Sequence, residues 1–163
     1  MGTAAGAPDA RLARIAASRR FFCLAGWDTH TGQERVLERQ LGQLAEGLVA
    51  FAEADPAVWQ KTMVVCVTEF GRTVAGNGTG GTDHGTGGAM LIAGGAVRGG
   101  RVHGDWPGLE EADLYQRRDL MPAADLRVQL AWMLHGLTGA GVDVLASTVF
   151  PGADMGRDPG LLR

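Results

Sequence analysis

The 163-residue chain has few cysteines, no excess of positive charge and no long apolar run, and each shortage removes a class of function. Cys23 and Cys66 are the only two thiols, each inside a short apolar run (Phe21 to Leu24, Met63 to Val67). No disulfide framework is expected, and both should behave as small buried hydrophobes. A net charge of -3 and an isoelectric point near 5.8 argue against a surface built to neutralise phosphate backbones. Nucleic acid is therefore not an expected partner, and small molecules are. No stretch approaches the roughly 20 apolar residues of a membrane span, so no membrane partner is expected either. Ser18-Arg19-Arg20-Phe21-Phe22 opens like a twin-arginine export signal, but Gly26-Trp27-Asp28 ends the apolar run before the roughly 7 to 15 residues such a signal needs. No internal repeat is visible.

What is present is the composition of a soluble globular domain, 45% hydrophobic and 20% charged. One domain is expected over residues 21–163, preceded by an Ala/Arg-rich helical segment within residues 1–20. The 26 glycines concentrate between Gly71 and Gly108. Acidic, basic and apolar residues interrupt that stretch, which fits a loop whose backbone wraps closely around something better than it fits a linker.

Phe21 to Ala25 and Thr62 to Thr68 read as short strands buried on both faces. Between them Leu37, Leu41, Leu44, Leu48 and Phe51 recur at steps of four and three from Gln33 to Ala54, one face of a helix that Asp55-Pro56 stops. Strand, helix and strand make a βαβ unit with a parallel pair. The expected fold class is α/β, a mostly parallel sheet with flanking helices. Ala89 to Ala93 and Arg101 to His103 should add strands. Pro122 to Leu137 should be a helix with Leu126, Leu130, Met133 and Leu137 on one stripe, ended by Gly136 and Gly139, with irregular chain beyond.

In open α/β sheets ligands bind at the carboxyl ends of strands, where this chain carries its chemistry. Asp28 and His30 stand two residues apart after the first apolar run, so in extended backbone both side chains point the same way and can share one ion; a turn-capping Asp and a surface His are the alternative. Glu69 ends the second apolar run, where an unpaired carboxylate is costly. It is either a metal ligand or the ion-pair partner of Arg72, whose forked guanidinium also suits a phosphoryl or sulfuryl oxyanion. Asp83 and His84 lie between glycines in a segment without apolar periodicity, a ligand or catalytic loop or else a solvated turn. His103 reads as structural and His135 as solvent-facing, so neither joins the expected ligands.

Gly26-Trp27-Asp28-Thr29-His30, Thr68-Glu69-Phe70-Gly71-Arg72-Thr73, Gly80-Gly81-Thr82-Asp83-His84-Gly85, Gly94-Gly95, Gly99-Gly100-Arg101-Val102 and Gly104-Asp105-Trp106-Pro107-Gly108-Leu109 closely resemble, in order and spacing, the bacterial domain-of-unknown-function family 1501. The likeness covers nearly everything from Phe21 to Gly152, corresponds to the C-terminal part of the family, and extends to Arg118-Asp119-Leu120 and Phe150-Pro151-Gly152. That family in turn resembles the alkaline phosphatase and sulfatase superfamily, which implies a truncated α/β core of that kind. The resemblance implies Asp28, His30, Glu69, Asp83 and His84 as ligands of a divalent metal; such mixed imidazole and carboxylate donors suit zinc or manganese, and Arg72, Glu69 and His84 are the expected catalytic residues. Family members often read Asp-His-Gly-His-Gly where this chain has Thr86 at the second histidine, and the superfamily's Ser or Thr nucleophile has no counterpart before Phe21. The expected activity is hydrolysis of phosphodiesters, phosphomonoesters or sulfate esters by metal-activated water. The alternative is a non-catalytic metal-binding or self-associating remnant of a larger hydrolase. A homo-oligomer is expected because an incomplete α/β sheet exposes an edge. The resemblance suggests a bacterial and often periplasmic protein.

Overall fold

The computed structural model describes residues 20–163, so the helical pattern expected near the N-terminus lies outside the described residues. The described residues form two compact units, one of residues 24–124 with Arg163, the other of residues 125–162 with residues 20–23.

The larger unit begins with chain that is not a strand. Phe21 and Phe22, just before it, are 88% and 85% exposed, and residues 20–30 carry no regular structure. An apolar run of five residues reads the same whether or not a neighbouring strand exists to receive its hydrogen bonds, and here none does. Cys23 is consequently exposed, contrary to expectation, while Cys66 is half-buried and burial pushes its thiol up; neither forms a disulfide. Helix α1 (Gln33–Ala54) has the limits its leucine spacing predicts. Its first turn is capped by main chain: the N–H groups of Gly32 and Gln33 donate to the carbonyls of Thr79 and Gly80 at 3.1 and 2.9 Å. Asp55 ends it and caps α2 (Pro56–Trp59), accepting from Val58 N at 3.0 Å, with Pro56 at the first helical position. Phe51 and Trp59 meet edge to face with ring centroids 5.6 Å apart. The α1 stripe is covered only in part, Leu41 remaining 46% exposed.

Two small sheets follow. β1 (Val64–Cys66) pairs antiparallel with β4 (Leu91–Ala93), Val65 facing Ile92. β2 (Gly71–Arg72) pairs antiparallel with β3 (His84–Gly85), Arg72 facing His84. The mostly parallel α/β sheet is thus overturned: the described residues hold four helices and two antiparallel sheets of two strands each, not an alkaline-phosphatase-like core. The βαβ argument fails because its first strand does not form. β1 instead pairs antiparallel with β4, and the chain between them contains no crossover helix of the kind that usually joins parallel strands. Arg101 to His103 is also no strand, and Val102 is fully exposed.

The smaller unit is helical. α3 (Leu126–Thr138) starts later than Pro122 because Asp125 caps it, accepting from Arg127 N at 2.8 Å. It ends at Gly139, whose φ of 69° gives the left-handed turn that its N–H needs to reach the His135 carbonyl. Short α4 (Val142–Val144) runs on into a wide helical turn, Leu145–Val149, where irregular chain was expected. Ala131, Ala140, Leu145 and Met155 form the core of this unit, with Trp132 packed against them and donating to the Met155 carbonyl at 2.7 Å.

Candidate metal centre

The backbone beneath the site is buried while its working side chains reach solvent. Thr29, Gly71, Thr73, Gly81 and Gly87 are buried; Asp28, His30, Asp83 and His84 have side chains 55%, 41%, 61% and 46% exposed. Close backbone approaches make this layer, and they explain the glycines that lie in it. A Cβ on Gly81 would run into the His30 carbonyl and one on Gly85 into the Arg72 main chain. The glycine-rich loop wraps the chain's own neighbouring segments.

On that layer three donor atoms face one another. Asp28 Oδ1 lies 2.8 Å from His84 Nε2 and 3.0 Å from His30 Nε2, and the two Nε2 atoms are 3.0 Å apart. Among the described residues these three side chains form a group, all donor atoms within 4.8 Å of one another, able to hold a metal ion. Hydrogen bonding from His84 is the main reason the Asp28 carboxyl lies below the usual carboxylate range, helped by the charges of His84, His30 and Arg72. The donor chemistry fits a divalent ion, since two imidazoles and a carboxylate suit zinc or manganese.

Each side chain is held from behind. Phe70 stacks on the His84 ring, centroids 3.7 Å apart at 17°. Arg72 donates from Nη1 to the Thr29 and Thr82 carbonyls at 2.9 and 3.1 Å, and from Nη2 to the Trp27 carbonyl and Asp28 Oδ1, both at 3.3 Å. One guanidinium thereby ties both ligand-bearing loops together. Asp83 does not face the three donor atoms as a fourth; its Oδ1 stands 3.2 Å from His30 Nδ1, the far side of that ring. Asn77 donates to the same oxygen at 3.1 Å and is the main reason the Asp83 carboxyl is held low, with His30 second.

Of the residues expected from sequence, the structure brings Asp28, His30 and His84 together, puts Asp83 and Arg72 against them, and leaves Glu69 exposed and outside the group. β1 ends at Cys66, and Glu69 lies in exposed irregular chain beyond it and not at a strand end as expected. Thr86, at the position of the family's second histidine, donates to Asp119 at 2.9 Å. Asn77 is not among the residues expected from sequence; its one signal there is an asparagine between two glycines, a residue that orders turns through its side chain. His103 is exposed, and His135 is half-buried with Nδ1 2.8 Å from the Ala140 carbonyl.

No curated protein and no solved structure matches the chain. A family model does match, over residues 9–138, a span that contains every residue of the centre, and the chain therefore belongs to the family described as protein of unknown function (DUF1501).

Proposed function

We propose that the chain is a metal-dependent hydrolase of phosphoesters, with sulfate esters as related substrates. The observation that carries the reading is the convergence of Asp28 Oδ1, His30 Nε2 and His84 Nε2 within 3.0 Å of one another. An Asp oxygen and two imidazole nitrogens so placed need a proton or a cation between their lone pairs. Asp28, His30 and His84 would hold the ion, zinc or manganese. When bound, the ion would supply Lewis acidity, lowering the pKa of water and polarising the ester. Arg72, with both terminal nitrogens engaged, keeps the donor loops in register and sets a fixed positive charge behind Asp28. Phe70 fixes the plane of His84. Kinship with the alkaline phosphatase and sulfatase enzymes is part of the proposal and is supported by donor chemistry alone, since the fold is different.

The test is to strip the protein with chelator, restore zinc or manganese singly, and assay nitrophenyl phosphate, its diester and the sulfate. Turnover that returns with metal and is absent in Asp28→Ala and His84→Ala is the expected result. Failure of every metal with every ester ends the proposal.

A second reading, a non-catalytic metal-binding or self-associating protein, is favoured by the exposure of large apolar side chains such as Phe21, Phe22, Val102 and Trp106. In that case His84→Ala changes only metal content or assembly state, as read by elemental analysis and sedimentation.

A further inference from the structure

Asp83 and His84 are neighbours in sequence, and neighbours in extended chain point to opposite sides. The His84 nitrogen turns to Asp28, whereas the Asp83 carboxylate reaches the back of the His30 ring, 3.2 Å from Nδ1. We propose that Asp83 serves the site through the His30 ring and not as a donor to the ion, and that Asn77 holds Asp83 to that task. Both are positioning residues, and the inference rests on the metal reading given above.

The reasoning is a competition for one proton. A neutral imidazole carries its N–H on one nitrogen and a lone pair on the other, and only the lone pair can bind a metal. Asp28 Oδ1, 3.0 Å from His30 Nε2, would draw the proton to Nε2 and close that nitrogen to an ion. Asp83 offers the opposing acceptor at Nδ1. With the proton there, Nε2 faces Asp28 and His84 with its lone pair free. Carboxylates behind metal-binding imidazoles act in this way, fixing both tautomer and ring orientation.

Asn77 supplies the alignment. Its Nδ2 donates to Asp83 Oδ1 at 3.1 Å and to the His30 carbonyl at 2.9 Å, so one amide grips the carboxylate and the main chain of the histidine it orients. Its Oδ1 accepts from Thr79 N, Thr79 Oγ1 and Gly81 N, each at 3.0 Å, which fixes the amide's direction. The Asp83 backbone is anchored in turn: its N–H donates to Thr73 Oγ1 at 3.1 Å and its carbonyl accepts from Thr73 N at 3.0 Å.

The experiment uses the full, metal-free chain with nitrogen-15 histidine, at a pH well above the ordinary imidazole pKa of about 6.5. The expected wild-type result is His30 protonated at Nδ1 with Nε2 bare. Asp83→Ala should move the proton towards Nε2 and weaken zinc binding, read by calorimetry, about 10- to 100-fold. Asp83→Asn, which keeps an oxygen for Nδ1, should recover part of both. Asn77→Asp, which keeps an oxygen for Thr79 and Gly81 but loses the donor to Asp83, should shift both measurements in the same direction as Asp83→Ala. A wild-type His30 protonated at Nε2 overturns the inference even if the variants fail to fold. Loss of zinc binding in Asp83→Ala with an unchanged His30 tautomer also overturns it, making Asp83 a direct donor. If the wild type binds no zinc, the metal reading falls while the nitrogen shifts still decide the role of Asp83.

Discussion

Asp119 is 4% exposed and still keeps its charge, because Arg118 Nε donates to it at 2.7 Å and Thr86 Oγ1 at 2.9 Å. Arg118 is the main reason its carboxyl lies below the usual range. A folded-state pKa below the unfolded value of about 3.9 adds stability above that value, and this stability is lost as pH falls through the folded pKa. Wild-type protein should therefore lose melting temperature more steeply than Asp119→Asn as pH falls below about 3.9, in thermal scans of the two side by side. That Asp28 and His30 stand on one side was legible in the sequence, because residues two positions apart in extended chain point the same way; that His84 joins them was not a local signal. Glu69 lies outside the group, in irregular chain three residues beyond the end of β1, where no strand end presents it. Asp83 lies beside the group and not within it, its carboxylate turned to the far side of the His30 ring while the neighbouring His84 turns to Asp28. Asn77 acts through contacts 6 and 47 residues away, which no local pattern encodes.

At the scale of elements, β2 and β3 are two residues each, so their pairing depends on main chains coming closer than any side chain allows. Gly85→Ala would press a methyl group into the Arg72 backbone. The expected cost is about 1–3 kcal/mol, measured by denaturant titration, together with weaker zinc binding because Arg72 and His84 face each other across this pair. Helix α1 was legible to its last residue, for a leucine stripe and an Asp-Pro stop are both local signals. Pairing partners are not local. The hydrophobicity of Phe21 to Ala25 could not reveal that no strand lies beside it, nor that of Val64 to Cys66 that its partner is β4, more than twenty residues on and running the other way.

For the whole molecule, an ion held by Asp28, His30 and His84 would add a link between segments that Arg72, Asn77 and main-chain hydrogen bonds already join. A ligand that binds only the folded state stabilises it by about 2.7 kcal/mol at a hundred times its dissociation constant. Zinc should accordingly raise the melting temperature, chelator should reverse the rise, and Asp28→Ala should abolish it, as followed by calorimetric scans. An unchanged transition in the wild type would count against binding at this site. The donors also sit at uneven places along the chain, His84 being 56 residues beyond Asp28. During synthesis on the ribosome the first two therefore emerge long before the third, and the nascent chain has no complete cage to offer. An ion bound at this site would then act as a late clasp, completed after the intervening helix and glycine-rich loop have closed, and less as a template around which the early chain organises.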